Sequence, residues 1–421
     1  MQHKLYKPGQ LLLDALPPLS LYIHVPWCVR KCPYCDFNSH VAPNSPVHLS
    51  RVSSVTLLSD VSPAMADSVP VTLQTRYINA LLLDLDQQLP SVWGRRLHSI
   101  FIGGGTPSLL HPSVLDHLLS EIRARLGMPV SGEITLEANP GTFEQDRFQG
   151  FKQAGVTRLS LGVQSLNDHA LKRLGRVHSP EQALQALDCA VKLFDRVNVD
   201  LMYGLPGLNN QVQTVEQAIQ DLQQILARSP GHLSMYELTL EPNTLFALKP
   251  PKLPTSDTLV EIEDALYQQA QQAGYSRYEV SAFSKPNQRC LHNLNYWQFG
   301  DYLAIGAGAH AKLTYPDRIE RQVRLRNPEA YLHALETQQS FMTVTQISAS
   351  ELPFEFMLNV LRLVEGVPEY FFQERCGRPI SDLQLAIQQA VEKNLLANQV
   401  GVFKPTALGL RYLNDLQQLF L

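Results

Sequence analysis

The chain has 421 residues, with 35 lysines and arginines against 39 aspartates and glutamates, so its formal net charge is −4. Hydrophobic residues make up 44% of the chain and charged residues 18%, which excludes a mostly disordered protein and predicts two or three domains, or a barrel with an appended unit. The near-neutral balance also argues against a nucleic-acid partner, since binding a polyanion requires a basic surplus or stripe.

The N-terminal segment lacks the pattern of a secretory signal peptide. Lys4, Lys7 and Asp14 flank or follow its short apolar run, Leu11–Leu13, and no cleavage pattern is present. No stretch approaches the roughly 18 consecutive apolar residues of a membrane-spanning helix. We therefore expect a cytoplasmic protein, whose contact with the inner face of the membrane would be peripheral.

Short apolar runs alternate with longer helical patterns from residue 19 to residue 240. The predicted strands are Leu19–Val25, His98–Ile102, Glu133–Glu137, Arg158–Val163, Val197–Met202 and His232–Leu240. The predicted helices are Thr75–Leu89, Pro112–Leu126, Phe143–Ala154, Pro180–Phe194 and Gln211–Ala227. This alternation predicts an α/β fold with a parallel sheet covered by helices, and six units indicate a partial or complete barrel.

Two regions depart from the alternation. Val41–Gln74 is rich in serine, valine and proline, and we interpret it as an inserted loop that forms a flexible lid or binds a partner. The C-terminal part has mainly helical patterns, over Glu351–Val364, Ser381–Leu396, Val400–Lys404 and Leu408–Phe420. We therefore predict a barrel domain over residues 1–320 and a mainly helical, winged-helix-like domain over residues 321–421.

Polar and glycine-rich segments follow the predicted strands at their carboxyl ends. A cysteine-rich segment follows the first strand, Gly103–Pro107 the second and Asn139–Gly141 the third. Gln164 and Ser165 follow the fourth strand, and Tyr203–Gly207 follows the fifth. Because parallel sheets gather their functional groups at this edge, the segments predict one site there.

The cysteines divide into a cluster and three scattered residues. Three lie within eight residues after the first strand: Cys28, Cys32 and Cys35. The others are expected to be ordinary structural thiols: Cys189, Cys290 and Cys376. A disulfide framework would be spread through a small secreted chain, so the cluster indicates a metal centre. One interpretation is zinc with His24 or His40 as fourth ligand; the other is a four-iron cluster whose three cysteines leave one iron open.

The spacing C-x3-C-x2-C after a strand, with Gly103–Pro107 at the end of the next strand, resembles the radical S-adenosylmethionine (SAM) superfamily. The fuller run from Tyr22 to Cys28 resembles the coproporphyrinogen dehydrogenase branch, the HemN and HemW proteins. The resemblance covers nearly the whole chain, from Leu19 into the C-terminal part. It implies a partial (β/α)6 radical-SAM barrel.

The resemblance also implies a set of cofactors and contacts. Cys28, Cys32 and Cys35 would ligate a four-iron, four-sulfur cluster, whose open iron is chelated by the amino and carboxylate groups of SAM. The implied SAM contacts are Tyr22, Gly103, Gly104, Gly105, Thr106, Glu137, Gln164, Arg176 and Asp200. Carboxylates suit the ribose hydroxyls and the cationic sulfonium. Each contact also has a structural alternative, such as a strand-end cap for Glu137 or a solvated charge for Arg176.

Two features separate the branches of this family. Relatives that oxidatively decarboxylate coproporphyrinogen carry a fourth cysteine two positions after the third, where this chain has Phe37. His292–Trp297 matches the HNxxYW signature of the heme chaperones of the family. A histidine beside aromatic residues can ligate iron and stack on a porphyrin, so His292 is the predicted heme contact; the alternative is a polar turn whose aromatics pack in the core. Gly306–His310 is a further turn that could approach SAM or heme.

The resemblance therefore implies a heme chaperone that binds the iron–sulfur cluster, SAM and heme, and delivers heme to respiratory hemoproteins, with an electron donor as a further partner. The alternative is an oxygen-independent coproporphyrinogen III dehydrogenase of porphyrin biosynthesis. Phe37 and the HNxxYW signature favour the chaperone. A winged-helix DNA-binding protein is disfavoured by the net charge of −4 and by the lack of a basic recognition helix.

Overall fold

A twelve-stranded sheet forms the centre of the protein. The structure is a computed structural model, and it describes residues 11, 13–43, 69–141, 144–207 and 211–421. Seven strands of this sheet are parallel: β1 Leu19–Val25, β2 Leu97–Gly104, β3 Glu133–Ala138, β4 Arg158–Gln164, β5 Arg196–Tyr203, β6 His232–Glu237 and β7 Asp301–Ile305. Their order across the sheet is β7-β1-β2-β3-β4-β5-β6. All six predicted strands are thus present, and β7 adds a seventh beside β1.

Antiparallel strands extend both edges of the parallel core. Beyond β7 lie β8 His310–Thr314, β9 Ile319–Arg324 and β10 Met342–Gln346. At the other edge Ala282–Ser284 pairs with β6, and Ser276–Arg277 pairs with Ala282–Ser284. Because β10 and Ser276–Arg277 stand at opposite ends of the strand order, the parallel strands form an open, partial barrel, as the family resemblance implies.

Helices connect the strands, and side-chain caps explain where several of them begin. They are α1 Val71–Gln88, α2 Pro112–Arg125, α3 Glu144–Ala154, α4 Asp168–Arg173, α5 Pro180–Leu193, α6 Val215–Leu226, α7 Ser256–Gln272, α8 Leu291–Trp297 and α9 Pro328–Glu336, with a short turn at Leu245–Leu248. Thr214 forms a capping box with Gln217, so α6 begins after Thr214 and not at the predicted Gln211. None of the described helices is long and apolar enough to cross a membrane.

Polar and apolar side chains alternate along the parallel strands. In β4, Leu159 and Leu161 belong to the main hydrophobic core, whereas Arg158 and Ser160 line a cavity. Successive side chains of a strand point to opposite faces of the sheet. The sheet therefore buries one face against the helices and turns a polar face toward the inside of the barrel.

The mainly helical C-terminal part begins later than predicted. The predicted boundary at residue 320 falls inside β9, and β10 continues the sheet to Gln346. Beyond it lie α10 Leu352–Val360, α11 Tyr370–Cys376, α12 Gln384–Glu392, α13 Ala407–Arg411 and α14 Leu413–Gln418, with the antiparallel strands Val367–Pro368 and Val402–Phe403. A separate hydrophobic core holds these elements together, with Phe356 edge-on to Phe372 and to Phe403.

The predicted insertion over residues 41–74 lies mostly outside the described residues, and so does the predicted lid. Both of its flanks are described. His40–Val41 pairs with Trp27–Cys28 beside the cysteine segment. At the other flank α1 already begins at Val71, so the last residues of the predicted insertion are helical.

Candidate cofactor site at the carboxyl ends of the strands

Two neighbouring cavities lie at the carboxyl ends of the parallel strands. The first has a volume of about 430 Å3 and is lined by the three clustered cysteines and by residues of β2 to β6. The second has a volume of about 790 Å3 and is lined by aromatic residues of α8 and β7, among others. Asp36, Phe37, Gly104 and Glu137 line both cavities. A ligand in one cavity would therefore lie beside a ligand in the other.

The structure brings most of the predicted site residues together in the first cavity. Those that line it are Cys28, Cys32, Cys35, Gly104, Gly105, Thr106, Glu137, Gln164, Arg176 and Asp200. Gly103 supports this wall, because a Cβ there would come within 3.1 Å of the Glu137 carboxylate. Tyr22 lines the second cavity, and His292 lines neither.

A chain of hydrogen bonds ties the cysteine segment to the strand ends. Thr106 Oγ1 donates to Cys28 Sγ at 3.5 Å, and Asn139 Nδ2 donates to Thr106 Oγ1 at 2.9 Å. Arg176 donates from Nη2 to Asn139 Oδ1 and from Nη1 to Cys32 Sγ, the latter over 3.9 Å. Asn139 is missing from the predicted site residues, although its position directly after β3 is the signal that marks it.

The surroundings of the three thiols fit an iron–sulfur cluster better than a single zinc ion. Zinc needs four ligands within about 2.3 Å of one point, and no group of three or more His, Cys, Asp or Glu among the described residues is arranged to hold one ion. The suggested fourth ligands are also engaged: His24 bonds to the Tyr22 hydroxyl at 3.0 Å and to the Asn38 carbonyl at 2.9 Å, and His40 bonds to Asn38 Oδ1 at 3.3 Å. In a four-iron cluster each thiolate binds a different iron, so the ligands need not converge on one point.

Arg176 gives this end of the cavity a positive charge. Its Nε is buried and has no hydrogen-bond partner within the described structure. Burial raises the pKa of the Cys28 thiol to about 11, so metal binding at Cys28 must release the proton of that thiol. The donor set therefore fits an anionic group, either a thiolate-ligated cluster or the carboxylate of a ligand.

Backbone geometry brings the strand ends close to the first cavity. Gly104 has a φ of +113°, and a Cβ there would meet the His24 ring at 2.6 Å. A Cβ on Gly105 would meet the Trp27 carbonyl oxygen at 2.5 Å, so only glycine fits both positions. Gln164 adopts a φ of 68° although it carries a side chain. Strained residues of this kind cluster at functional sites.

Two acidic side chains line the first cavity, Glu137 on β3 and Asp200 on β5. Glu137 Oε2 accepts a hydrogen bond from the Gly104 amide at 3.2 Å, and Asp200 accepts from Asn198 Nδ2 at 2.7 Å and from Ser160 Oγ at 3.3 Å. Burial, with the nearby Asp200 charge, raises the pKa of Glu137 to about 8, and burial raises the pKa of Asp200 to about 6. A cationic ligand would stabilise the ionised form of both groups.

We expect the stability of the ligand-free protein to carry a contribution from Glu137 that falls as the pH rises. The folded protein keeps this proton up to about pH 8, whereas the unfolded chain releases it near the ordinary value of 4.5. The contribution is therefore complete below pH 4.5 and is lost as the pH rises through 8. Glu137→Gln should have the higher melting temperature at pH 8.5 or so and match the parent near pH 5. The exposed Glu261→Gln is the control; equal melting temperatures at alkaline pH would contradict the expectation.

His292 lies in a buried hydrogen-bonded chain and lines neither cavity. It is 1% exposed, and its Nδ1 and Nε2 bond to Ser99 Oγ at 2.9 Å and to the Tyr296 hydroxyl at 3.0 Å. Burial lowers the pKa of His292 to about 3, so the ring is neutral. A bond between His292 and heme iron would require one of these hydrogen bonds to break. The contact between His292 and heme stays a prediction. Tyr296 and Trp297 of the same segment do line the second cavity.

The scattered cysteines occupy structural positions. Cys376 is buried in the C-terminal core, and Cys189 is half-buried on α5. Cys290 is also buried, although it lines part of the first cavity, and its thiol donates to Glu133 Oε1 at 3.4 Å. None of the three lines the second cavity.

Comparison with known proteins adds family relationships to this geometry. Residues 22–221 match the family model of the radical SAM superfamily, and residues 347–412 match that of the HemN C-terminal domain. The chain is 43% identical over 415 residues to the heme chaperone HemW of Haemophilus influenzae, spanning 97% of this chain and 99% of that protein. It is 44% identical over 410 residues to the heme chaperone HemW of Escherichia coli K12, spanning 96% and 99%.

A solved structure supports the fold. The coproporphyrinogen III oxidase HemN of Escherichia coli, a radical SAM enzyme, superposes with a TM-score of 0.75 over 96% of this chain and 90% of that one. The two sequences are only 20% identical in this superposition, so the match concerns architecture and not activity. The HemN C-terminal match begins at residue 347, directly after β10 ends.

Proposed function

The chain belongs to the radical SAM superfamily and, within it, to the family of the heme chaperone HemW, and on this premise we propose that it binds heme and delivers it to respiratory hemoproteins. The observation that carries the proposal is Phe37. It replaces the fourth cysteine of the coproporphyrinogen dehydrogenases, and its side chain is 60% exposed on the wall shared by the two cavities. An exposed phenyl ring there suits contact with a flat apolar cargo.

We infer that the first cavity holds the cofactors. Cys28, Cys32 and Cys35 would hold a four-iron, four-sulfur cluster, which together with SAM supplies one-electron chemistry when bound. The inferred SAM contacts are Tyr22, Gly103, Gly104, Gly105, Thr106, Glu137, Gln164, Arg176 and Asp200. Support comes from their common placement, since all but Tyr22 and Gly103 line the first cavity. In addition, Arg176 has a buried Nε whose hydrogen bond an anionic group can accept.

The carboxylates and glycines have separate tasks in this proposal. Glu137 and Asp200 would orient polar and cationic groups of SAM, because both are already held by hydrogen bonds from residues of the sheet. Gly104 and Gly105 would let the backbone approach the ligand closely. An electron donor and heme-accepting respiratory proteins are the proposed partners, and a cytoplasmic location with peripheral contact at the inner membrane face stays a prediction.

The alternative function is oxygen-independent oxidation of coproporphyrinogen III, with which the architecture shared with HemN is consistent. We expect no protoporphyrinogen when the anaerobically reconstituted protein receives SAM, an electron source and coproporphyrinogen III. The same preparation should bind heme, measured by titration of the Soret band. A coproporphyrinogen dehydrogenase that carries the fourth cysteine serves as the positive control. Product formed at a comparable turnover would contradict the chaperone proposal and support the alternative.

A further inference from the structure

The second cavity has the size and the lining of a site for a flat aromatic ligand. Its volume of about 790 Å3 lies within the range of roughly 300–1,000 Å3 that cofactor pockets occupy. Aromatic side chains from four segments line it: Tyr22, Phe37, Tyr296, Trp297 and Tyr302. The indole Nε1 of Trp297 is buried without a hydrogen-bond partner in the described structure. The cavity therefore combines apolar surface with an unsatisfied donor among its lining residues.

One histidine at the two cavities has free ring nitrogens. Three histidines line them, and two of these are fully engaged: His24, as described above, and His232, which bonds to Asn198 Oδ1 at 2.6 Å and to the Tyr278 hydroxyl at 2.8 Å. His310 is exposed at the start of β8, and neither of its nitrogens bonds to a described residue. Partial burial and three nearby arginines lower the pKa of His310, which favours the neutral form that ligates iron.

Arg326 provides a cation at the same cavity. Its side chain is exposed and makes no ion pair with a described residue, whereas Arg321 and Arg324 each pair with an acidic side chain. The Arg326 carbonyl accepts a hydrogen bond from Asn38 Nδ2 at 2.8 Å, so the backbone is held in place. A free guanidinium matches a carboxylate in a two-pronged geometry.

The turn before His310 is tied to the cysteine segment. Asn38, three residues after Cys35, also donates to the Ala307 carbonyl at 2.9 Å. Gly308 has a φ of +78°, and a Cβ there would clash with the Asn38 side chain. The wall that carries His310 is therefore preformed and is linked to the loop of the cluster ligands.

From these observations we infer that the second cavity is the heme site, with His310 as the axial ligand of the iron and Arg326 as the partner of a propionate. The inference rests on the proposed function, since it names where the cargo binds. It assigns the aromatic residues Tyr296 and Trp297 to contacts with the porphyrin. His292 then acts by positioning Tyr296, to which it is hydrogen-bonded.

Heme titration of the full-length chain tests the assignment of His310. We expect His310→Ala to weaken heme binding by about 10- to 100-fold and to shift the Soret band, and added imidazole to restore the parent spectrum. His333→Ala, which removes an exposed histidine of α9 that lines neither cavity, should leave both affinity and spectrum unchanged. Parent-like affinity and spectrum in His310→Ala would overturn the inference while leaving the proposed function intact. A parent protein that binds no heme would overturn both.

A second variant keeps the inference testable if His310→Ala folds poorly. Arg326→Gln should weaken binding of heme by roughly three- to fivefold without moving the Soret band, because the iron ligand is retained. Heme dimethyl ester, which lacks the propionate charges, should bind the parent and Arg326→Gln equally well. An equal loss for heme and for its ester would contradict the propionate contact, as would no loss for either.

Discussion

Cys32→Ala is expected to abolish the brown iron–sulfur absorbance of the anaerobically reconstituted protein, together with its cleavage of SAM. A cluster held by three thiolates cannot lose one and keep its open iron in place. The substitution also removes the acceptor of the Arg176 Nη1 hydrogen bond, which leaves that guanidinium with less to hold it. Iron and sulfide analysis should fall from about four of each per chain toward zero, and absorbance and SAM cleavage are measured on the same sample.

The matched control for this variant is Cys189→Ala. Cys189 is half-buried on α5 and lines neither cavity, so its loss should leave iron content unchanged. Retention of the full cluster in Cys32→Ala would contradict the ligand assignment. Heme binding offers a second readout: none of the three clustered cysteines lines the second cavity, so we expect Cys32→Ala to retain heme affinity within a few-fold of the parent. A parallel loss of cluster and heme would mean that the two cavities are not independent.

The parts of the site that the sequence predicts are those encoded by local order. The cysteines, the glycine motif and Gln164 each lie at the end of a strand or directly after it, and parallel strands place their carboxyl ends at one edge. The strand pattern alone therefore predicts that these residues lie close together at one edge of the sheet. Residues that act through the inner face of the sheet are harder to predict. Asn198 and Ser160 donate hydrogen bonds to Asp200. Polar residues alternate with apolar ones along β4 and β5, but this alternation identifies cavity-lining residues only when the inside of the barrel is known.

β9 and β10 illustrate why strands beyond the predicted domain boundary are hard to recognise in the sequence. β9 carries Glu320, Arg321 and Arg324 within six residues, and four of the five residues of β10 are exposed. Such segments lack the apolar runs that mark buried strands. They are strands because the sheet supplies their hydrogen bonds from neighbouring chain segments, and only the tertiary structure provides that information.

The two candidate heme contacts, His292 and His310, also differ in how far the sequence reveals them. His292 has the recognisable motif, whereas His310 follows an unremarkable run of glycine and alanine. Their burial and hydrogen bonds are the basis of our proposal: His292 satisfies both ring nitrogens inside the protein, and His310 satisfies neither with a described residue. The burial of His292 becomes visible only when α8 is packed against β2, where Ser99 lies.

Asp84→Ala is expected to be the most destabilising single substitution considered, because Asp84 holds the turn before His310 from the interior. Asp84 is fully buried on α1 and accepts hydrogen bonds from the Tyr331 hydroxyl at 2.8 Å and from the Gly306 amide at 3.3 Å. It also pairs with the fully buried Arg324 at 3.3 Å. Burial raises the pKa of Asp84 even though Arg324 opposes the shift. Removing the carboxylate would leave a buried guanidinium without its partner, which costs about 3–5 kcal/mol.

Asp86→Ala is the matched control on the same helix. Asp86 pairs with Arg125 at 2.6 Å, but its side chain is 44% exposed, and exposed pairs contribute only about 0–1 kcal/mol. Urea denaturation of both variants should therefore separate them by at least about 2 kcal/mol. Equal free energies of unfolding would mean that the buried pair adds nothing beyond a surface one. Asp84 also accepts a hydrogen bond from Gly306, which begins the turn that ends at His310. Under conditions where the protein is still folded, Asp84→Ala should therefore weaken heme binding, and Asp86→Ala should not.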